Sequence, residues 1–119
     1  MGIDSGNMDE RRNVPRYNAT LSARICLPGQ DPMLVKVLTL AVKGCAIKGM
    51  GIPEVGKPCE LVIQWQGREI PLGSQVAWKT REGMAGLRFV SVGEQDVEVL
   101  RELCSTLRLQ PLAPMRTDD

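Results

Sequence analysis

Period-two alternation, broken again and again by glycine and proline, is the feature that most constrains this chain. From Ala19 to Leu27 the residues Ala19, Leu21, Ala23, Ile25 and Leu27 alternate with Thr20, Ser22, Arg24 and Cys26. Successive side chains of a strand point to opposite faces, so this pattern predicts a half-buried strand. Pro28-Gly29-Gln30-Asp31-Pro32 supplies a turn, and Met33 to Leu40, rich in branched apolar residues, is predicted as a second strand. Cys45 to Lys48 gives a short third strand before a loop through Gly49, Gly51, Pro53, Gly56 and Pro58. Cys59, Leu61, Ile63 and Trp65 alternate along a fourth, Gln66-Gly67-Arg68 turns it, Ile70 to Lys79 forms its hairpin partner, and Met84 to Val90 is the sixth. Six short strands at regular spacing predict an all-β fold, a closed or nearly closed six-stranded antiparallel barrel, because closure removes the exposed edges that recruit other chains.

One helix is expected, at the C-terminal end. Val97, Leu100, Leu103, Cys104 and Leu107 recur on one face, and Ser91 with Glu94 fits a capping box. The apolar stripe is expected to cover an open side of the barrel. Residues 11–108 read as the domain, with residues 1–10 and 109–119 as flexible termini that lack periodicity. A chain of 119 residues builds a single core.

The absence of histidine excludes imidazole-activated nucleophiles and His-based zinc sites. Cys26, Cys45, Cys59 and Cys104 are far apart in sequence with no C-x-x-C pair, so they are read as buried thiols and no metal is expected. Glu54, Glu60, Glu69 and Glu82 suggest no acid–base pair with an accompanying nucleophile, and no enzyme is expected. The N-terminus carries no apolar signal segment and no apolar run approaches the ~20 residues of a membrane span. A cytoplasmic protein without direct membrane insertion is therefore expected.

Charge is unevenly placed although the net formal charge is only +1. Between Arg11 and Lys48 stand Arg11, Arg12, Arg16, Arg24, Lys36, Lys43 and Lys48 against the single acid Asp31. With Tyr17, Trp65, Trp78 and Phe89 as the only aromatics, this suits a small anionic ligand better than a nucleic-acid polymer, which needs a broad basic face and several stacking rings. In Arg11-Arg12-Asn13-Val14-Pro15-Arg16 the proline keeps the segment out of a helix interior and pushes Val14 toward extended geometry. The resulting basic loop, just before a strand, is placed to close its guanidinium forks on phosphate oxygens or on guanine O6 and N7. Trp78 admits two places, a stacking platform beside that loop or the core, and the core is the preferred one; Trp65, Phe89 and Tyr17 are read as structural.

Arg12 to Arg16 resembles the R-x-x-x-R signature that opens PilZ domains, and the chain resembles that family over roughly residues 10 to 108. Gly44-Cys45-Ala46-Ile47, Val55 to Leu61, Val76-Ala77-Trp78 and Gly86-Leu87-Arg88-Phe89 follow the family's phrasing in order. The resemblance implies a six-stranded antiparallel barrel with an appended helix, in bacteria, that binds the second messenger cyclic di-GMP. The family's second signature, D/N-x-S-x-x-G, falls on Thr39-Leu40-Ala41-Val42-Lys43-Gly44, where only the glycine matches. In the family the first residue and the serine receive a guanine, and an Asp there accepts from its N1 and N2 groups. Losing such a paired contact costs about 1–3 kcal/mol. Gly44 is expected either to let a ligand approach the backbone or to permit a positive-φ turn into the next strand. The expected ligand-binding set is Arg11, Arg12, Arg16, Thr39, Ala41, Gly44 and Trp78. With no catalytic or DNA-reading segment recognised in the sequence, the expectation is a stand-alone receptor for cyclic di-GMP that relays its signal through contacts with a protein partner. The alternative is a nucleotide-independent adaptor that keeps the fold.

Overall fold

The computed structural model describes residues 16–108. In chain order they form β1 (Tyr17–Cys26), β2 (Met33–Ala41), β3 (Gly44–Lys48), β4 (Pro58–Trp65), β5 (Arg68–Lys79), β6 (Met84–Ser91) and α1 (Glu94–Arg108). All six expected strands are present. They close into one barrel in the order β1-β2-β3-β6-β5-β4, every neighbouring pair antiparallel. The β4–β5 turn is tighter than expected: Gln66 (φ 53°) and Gly67 (φ 75°) both take left-handed backbone, and Arg68 already belongs to β5. That two-residue geometry matches the twist of the flanking strands. The termini expected to be flexible, and the arginines Arg11 and Arg12, lie outside the described residues.

The interior is filled by Ile25, Val37, Leu40, Ile47, Leu61, Ile63, Ile70, Leu72 and Val76, each buried almost completely. Helix α1 packs against β1 and β5 and adds Leu100, Leu103, Cys104 and Leu107 to the same core. The barrel has no open side for it to cover, because strand pairing alone closes the sheet. The capping box is also not used. Ser91 is the last residue of β6, paired with Gly73, and the first helical bond runs from the Val97 amide to the Gly93 carbonyl at 2.9 Å. Glu94 and Asp96 instead place negative charge on the first turn, where the helix dipole favours it.

Two β-bulges decide which residues reach the outer surface. Val35 and Val37 of β2 face inward, and Val37 pairs with Ile47. The next pair is Thr39 with Ala46, so Leu38 is an extra residue and the alternation reverses. Leu40 becomes the interior residue, and Thr39 and Ala41 turn outward; Ala41, although 4% exposed, is not part of the core cluster. In β5 the inward series Ile70, Leu72, Ser74, Val76 would place Trp78 in the core. Val76 pairs with Leu87 but Trp78 pairs with Gly86, so Ala77 is extra and Trp78 stands outside, 42% exposed. The preferred core position for Trp78 is thereby corrected. Trp65 lies in the core, and Tyr17 and Phe89 pack against it.

The cysteines are unpaired thiols; Cys59 and Cys104 are buried, whereas Cys26 and Cys45 are half-buried. Burial pushes the Cys104 thiol up to about 11 and moves Cys59 and Cys45 in the same direction. A group whose folded pKa exceeds its unfolded one supports the fold below the unfolded value and withdraws that support as pH rises toward the folded value. The melting temperature is therefore expected to fall between pH 9 and pH 11, and to fall less steeply for Cys59→Ala/Cys104→Ala. Parallel pH profiles of the two proteins would refute this account.

Candidate ligand-binding site

The outward-turned residues of β2, β3, β6 and β5 meet in an open cavity of about 490 Å³. Its floor is made of small residues, Ala41, Gly44, Ala46 and Gly86. Gly44 carries no positive φ, which overturns the turn expected there. Its role is space: a Cβ at this position would overlap the Leu87 carbonyl oxygen of the neighbouring strand. Gly86 is small for a different reason. The Trp78 indole lies directly over its Cα, where a side chain would collide with the ring. An aromatic ring laid over a cross-strand glycine is held in place while part of it stays in solvent.

Around this floor stand Arg16, Lys43 and Arg88. Tyr17 pairs with Leu40, which brings Arg16 to the level of Ala41 at the mouth of β2. Lys43 occupies the Val42–Lys43 turn between β2 and β3, and its carbonyl accepts a hydrogen bond from the Phe89 amide at 2.9 Å, fixing the turn against β6. Arg88 faces Gly44 across the β3–β6 pair. Its Nη2 donates to Oε1 of Gln75, whose Nε2 donates to the Gly56 carbonyl at 3.0 Å. The described residues lining the cavity include no carboxylate. Three cations beside a half-exposed indole have the chemistry to attract an anion and to stack on an aromatic ring.

A second depression of about 510 Å³ lies at the β4–β5 hairpin. There Glu69 accepts two hydrogen bonds from Arg24, at 2.9 and 3.1 Å, and these hold its carboxyl below the usual range. The charge of Glu69 is already matched by Arg24, so this ion pair leaves no unpaired cation among the described residues facing the depression, in contrast to the carboxylate-free first cavity. Among the described residues no group of His, Cys, Asp and Glu side chains is disposed to hold a metal ion, and no helix is long and apolar enough to cross a membrane.

The family model described as PilZ domain matches residues 10–106. The chain belongs to the PilZ domain family. Similar solved structures share the fold at low identity. The inhibitor of motility MotI/DgrA of Bacillus subtilis matches at a TM-score of 0.67 and 18% identity, covering 83% of this chain and 51% of that one. YcgR of Escherichia coli in complex with c-di-GMP matches at 0.69 and 16%, covering 91% and 50%. The PilZ domain of YcgR with c-di-GMP matches at 0.68 and 13%, covering 92% and 98%. The chain thus spans about half the length of the matched MotI/DgrA chain and of the first of these YcgR chains. Comparison with curated proteins finds no match.

Within this PilZ barrel, Arg16, Thr39, Ala41, Gly44 and Trp78 of the expected set line the one cavity, although they come from the residue preceding β1 and from three strands. Lys43 and Arg88 were not foreseen. Lys43 sits inside the second signature as an unspecified position. Alternation along β6 places Gly86 and Arg88 on one face, but that this face lies beneath Trp78 shows only in the folded barrel.

Proposed function

We propose that this PilZ domain is a receptor for c-di-GMP, binding it on the outer β2–β3–β6–β5 face and signalling by altered contact with a protein partner. The observation that carries the proposal is the carboxylate-free cavity in which Arg16, Lys43 and Arg88 surround the half-exposed Trp78. Phosphate groups are matched by the cations and a guanine ring by the indole. The two YcgR structures, in complex with c-di-GMP, support the ligand's identity. Arg11 and Arg12 belong to the same proposal as the basic arm that closes over the nucleotide. Binding, not catalysis, is the activity, and the bacterial cytoplasm is its place.

Thr39 and Ala41 favour a second reading, in which the barrel serves as an adaptor without nucleotide. One presents a single hydroxyl to the cavity and the other a methyl group. Isothermal titration with c-di-GMP separates the two: saturable heat supports the receptor, and no heat at high micromolar ligand leaves the adaptor. The double variant Thr39→Asp/Ala41→Ser restores acceptors on a floor already shaped for them. It is expected to bind about tenfold more tightly, equivalent to ~1.4 kcal/mol. A folded double variant with no gain in affinity counts against the receptor.

A further inference from the structure

Guanine offers two recognisable edges, and the cavity is not equally equipped for both. Reading N1–H and the N2 amine requires acceptors, and the described side chains lining the cavity offer no carboxylate or amide oxygen and only the single hydroxyl of Thr39. Reading O6 and N7 requires a pair of donors, which an arginine fork supplies. We infer that Arg88 reads the O6/N7 edge of a guanine stacked on Trp78, so that base selection in this chain rests on that edge and not on the N1/N2 edge. The inference deepens the receptor reading and rests on it.

Three observations carry it. Trp78 lies over Gly86, and Arg88 follows two residues later on the same outer face of β6, about 7 Å along the strand. A base on the indole therefore has its edge within reach of the guanidinium. Arg88 is also held in place. Gln75, its cross-strand partner, gives Nε2 to the Gly56 carbonyl, which leaves Oε1 to accept from Arg88 Nη2. One of five guanidinium N–H groups is thereby used for positioning, and the others remain for a ligand. Finally, no described carboxylate lines the cavity to draw the side chain away. An adenine would present its N6 amine to the same donors, so the fork still separates guanine from adenine.

The test uses three ligands: c-di-GMP, its inosine counterpart lacking the N2 amine, and its 7-deaza counterpart lacking N7. The full chain is expected to bind the inosine ligand within about threefold of c-di-GMP and the 7-deaza ligand about tenfold more weakly. Arg88→Ala is expected to weaken c-di-GMP about tenfold and to bind the 7-deaza ligand no worse than c-di-GMP. Arg88→Lys keeps the charge but loses the fork and is expected to resemble Arg88→Ala. Arg88 is exposed, so both variants should fold. If c-di-GMP binds with full affinity to Arg88→Ala, or the inosine ligand loses tenfold, the edge assignment is overturned while the receptor reading stands. No binding of c-di-GMP to the unaltered chain overturns both.

Discussion

Gly44→Ala is expected to cost the barrel about 3 kcal/mol and to lower its melting temperature by roughly 10–20 °C. The added methyl group would overlap the Leu87 carbonyl oxygen, a backbone atom of the adjacent strand that no rotamer change can move aside. Strand β3 is only five residues long and is paired on both sides, with β2 and with β6, so it cannot yield without loosening two ladders. Gly67→Ala provides the contrast. Gly67 has φ 75° and open space around its missing Cβ, so alanine there meets only backbone strain, about 1 kcal/mol. Thermal melts of the two variants should therefore differ widely. Similar melting temperatures would show that close packing of β3 on β6 is not what requires glycine at this position.

Arg16→Ala is expected to weaken c-di-GMP binding by about 2 kcal/mol, roughly thirtyfold, because it removes a charge-assisted contact that no described neighbour replaces. Arg16 is exposed at the entry to β1 and forms no part of the core, so its loss should leave the melting temperature nearly unchanged. Lys43→Ala should weaken binding less, since an exposed ammonium on a flexible stem contributes a point charge without fork geometry. Raising the salt concentration should weaken binding to the unaltered chain more than to Arg16→Ala. Titration of the three proteins at two ionic strengths checks the order. Equal affinity for Arg16→Ala and the unaltered chain would place the nucleotide away from this cavity.

The strands were legible because β1 and β4 alternate with a period of two, β2 is rich in branched apolar residues, and most of the breaks between strands fall on glycine, proline or short polar turns. What could not be read was where that period slips. Nothing in Val35-Lys36-Val37-Leu38-Thr39 distinguishes an extra residue from an ordinary one, and every residue beyond an undetected bulge is assigned to the wrong face. The bulge at Ala77 likewise turns Trp78 out of the inward series that runs from Ile70 to Val76, so the core position preferred for that large apolar ring does not hold. Ser91 misled for another reason. Its spacing to Glu94 suits a helix cap, but β6 continues through it, and strand pairing outweighs a local side-chain bond. At the site, residue types were legible and their convergence was not, because Arg16, Arg88 and Trp78 meet only after the barrel closes.

The wall that separates Trp65 from Trp78 also separates two optical signals. Trp65 is enclosed in the core, whereas the Trp78 indole borders solvent and the cavity. In emission spectra the first is expected to report whether the chain is folded and, on the proposed receptor reading, the second whether the cavity is occupied. Acrylamide quenches the exposed indole selectively, and replacing either ring by phenylalanine isolates the other's spectrum. The protein thus carries its own paired fluorophores, with no dye to attach, one for integrity and one for occupancy.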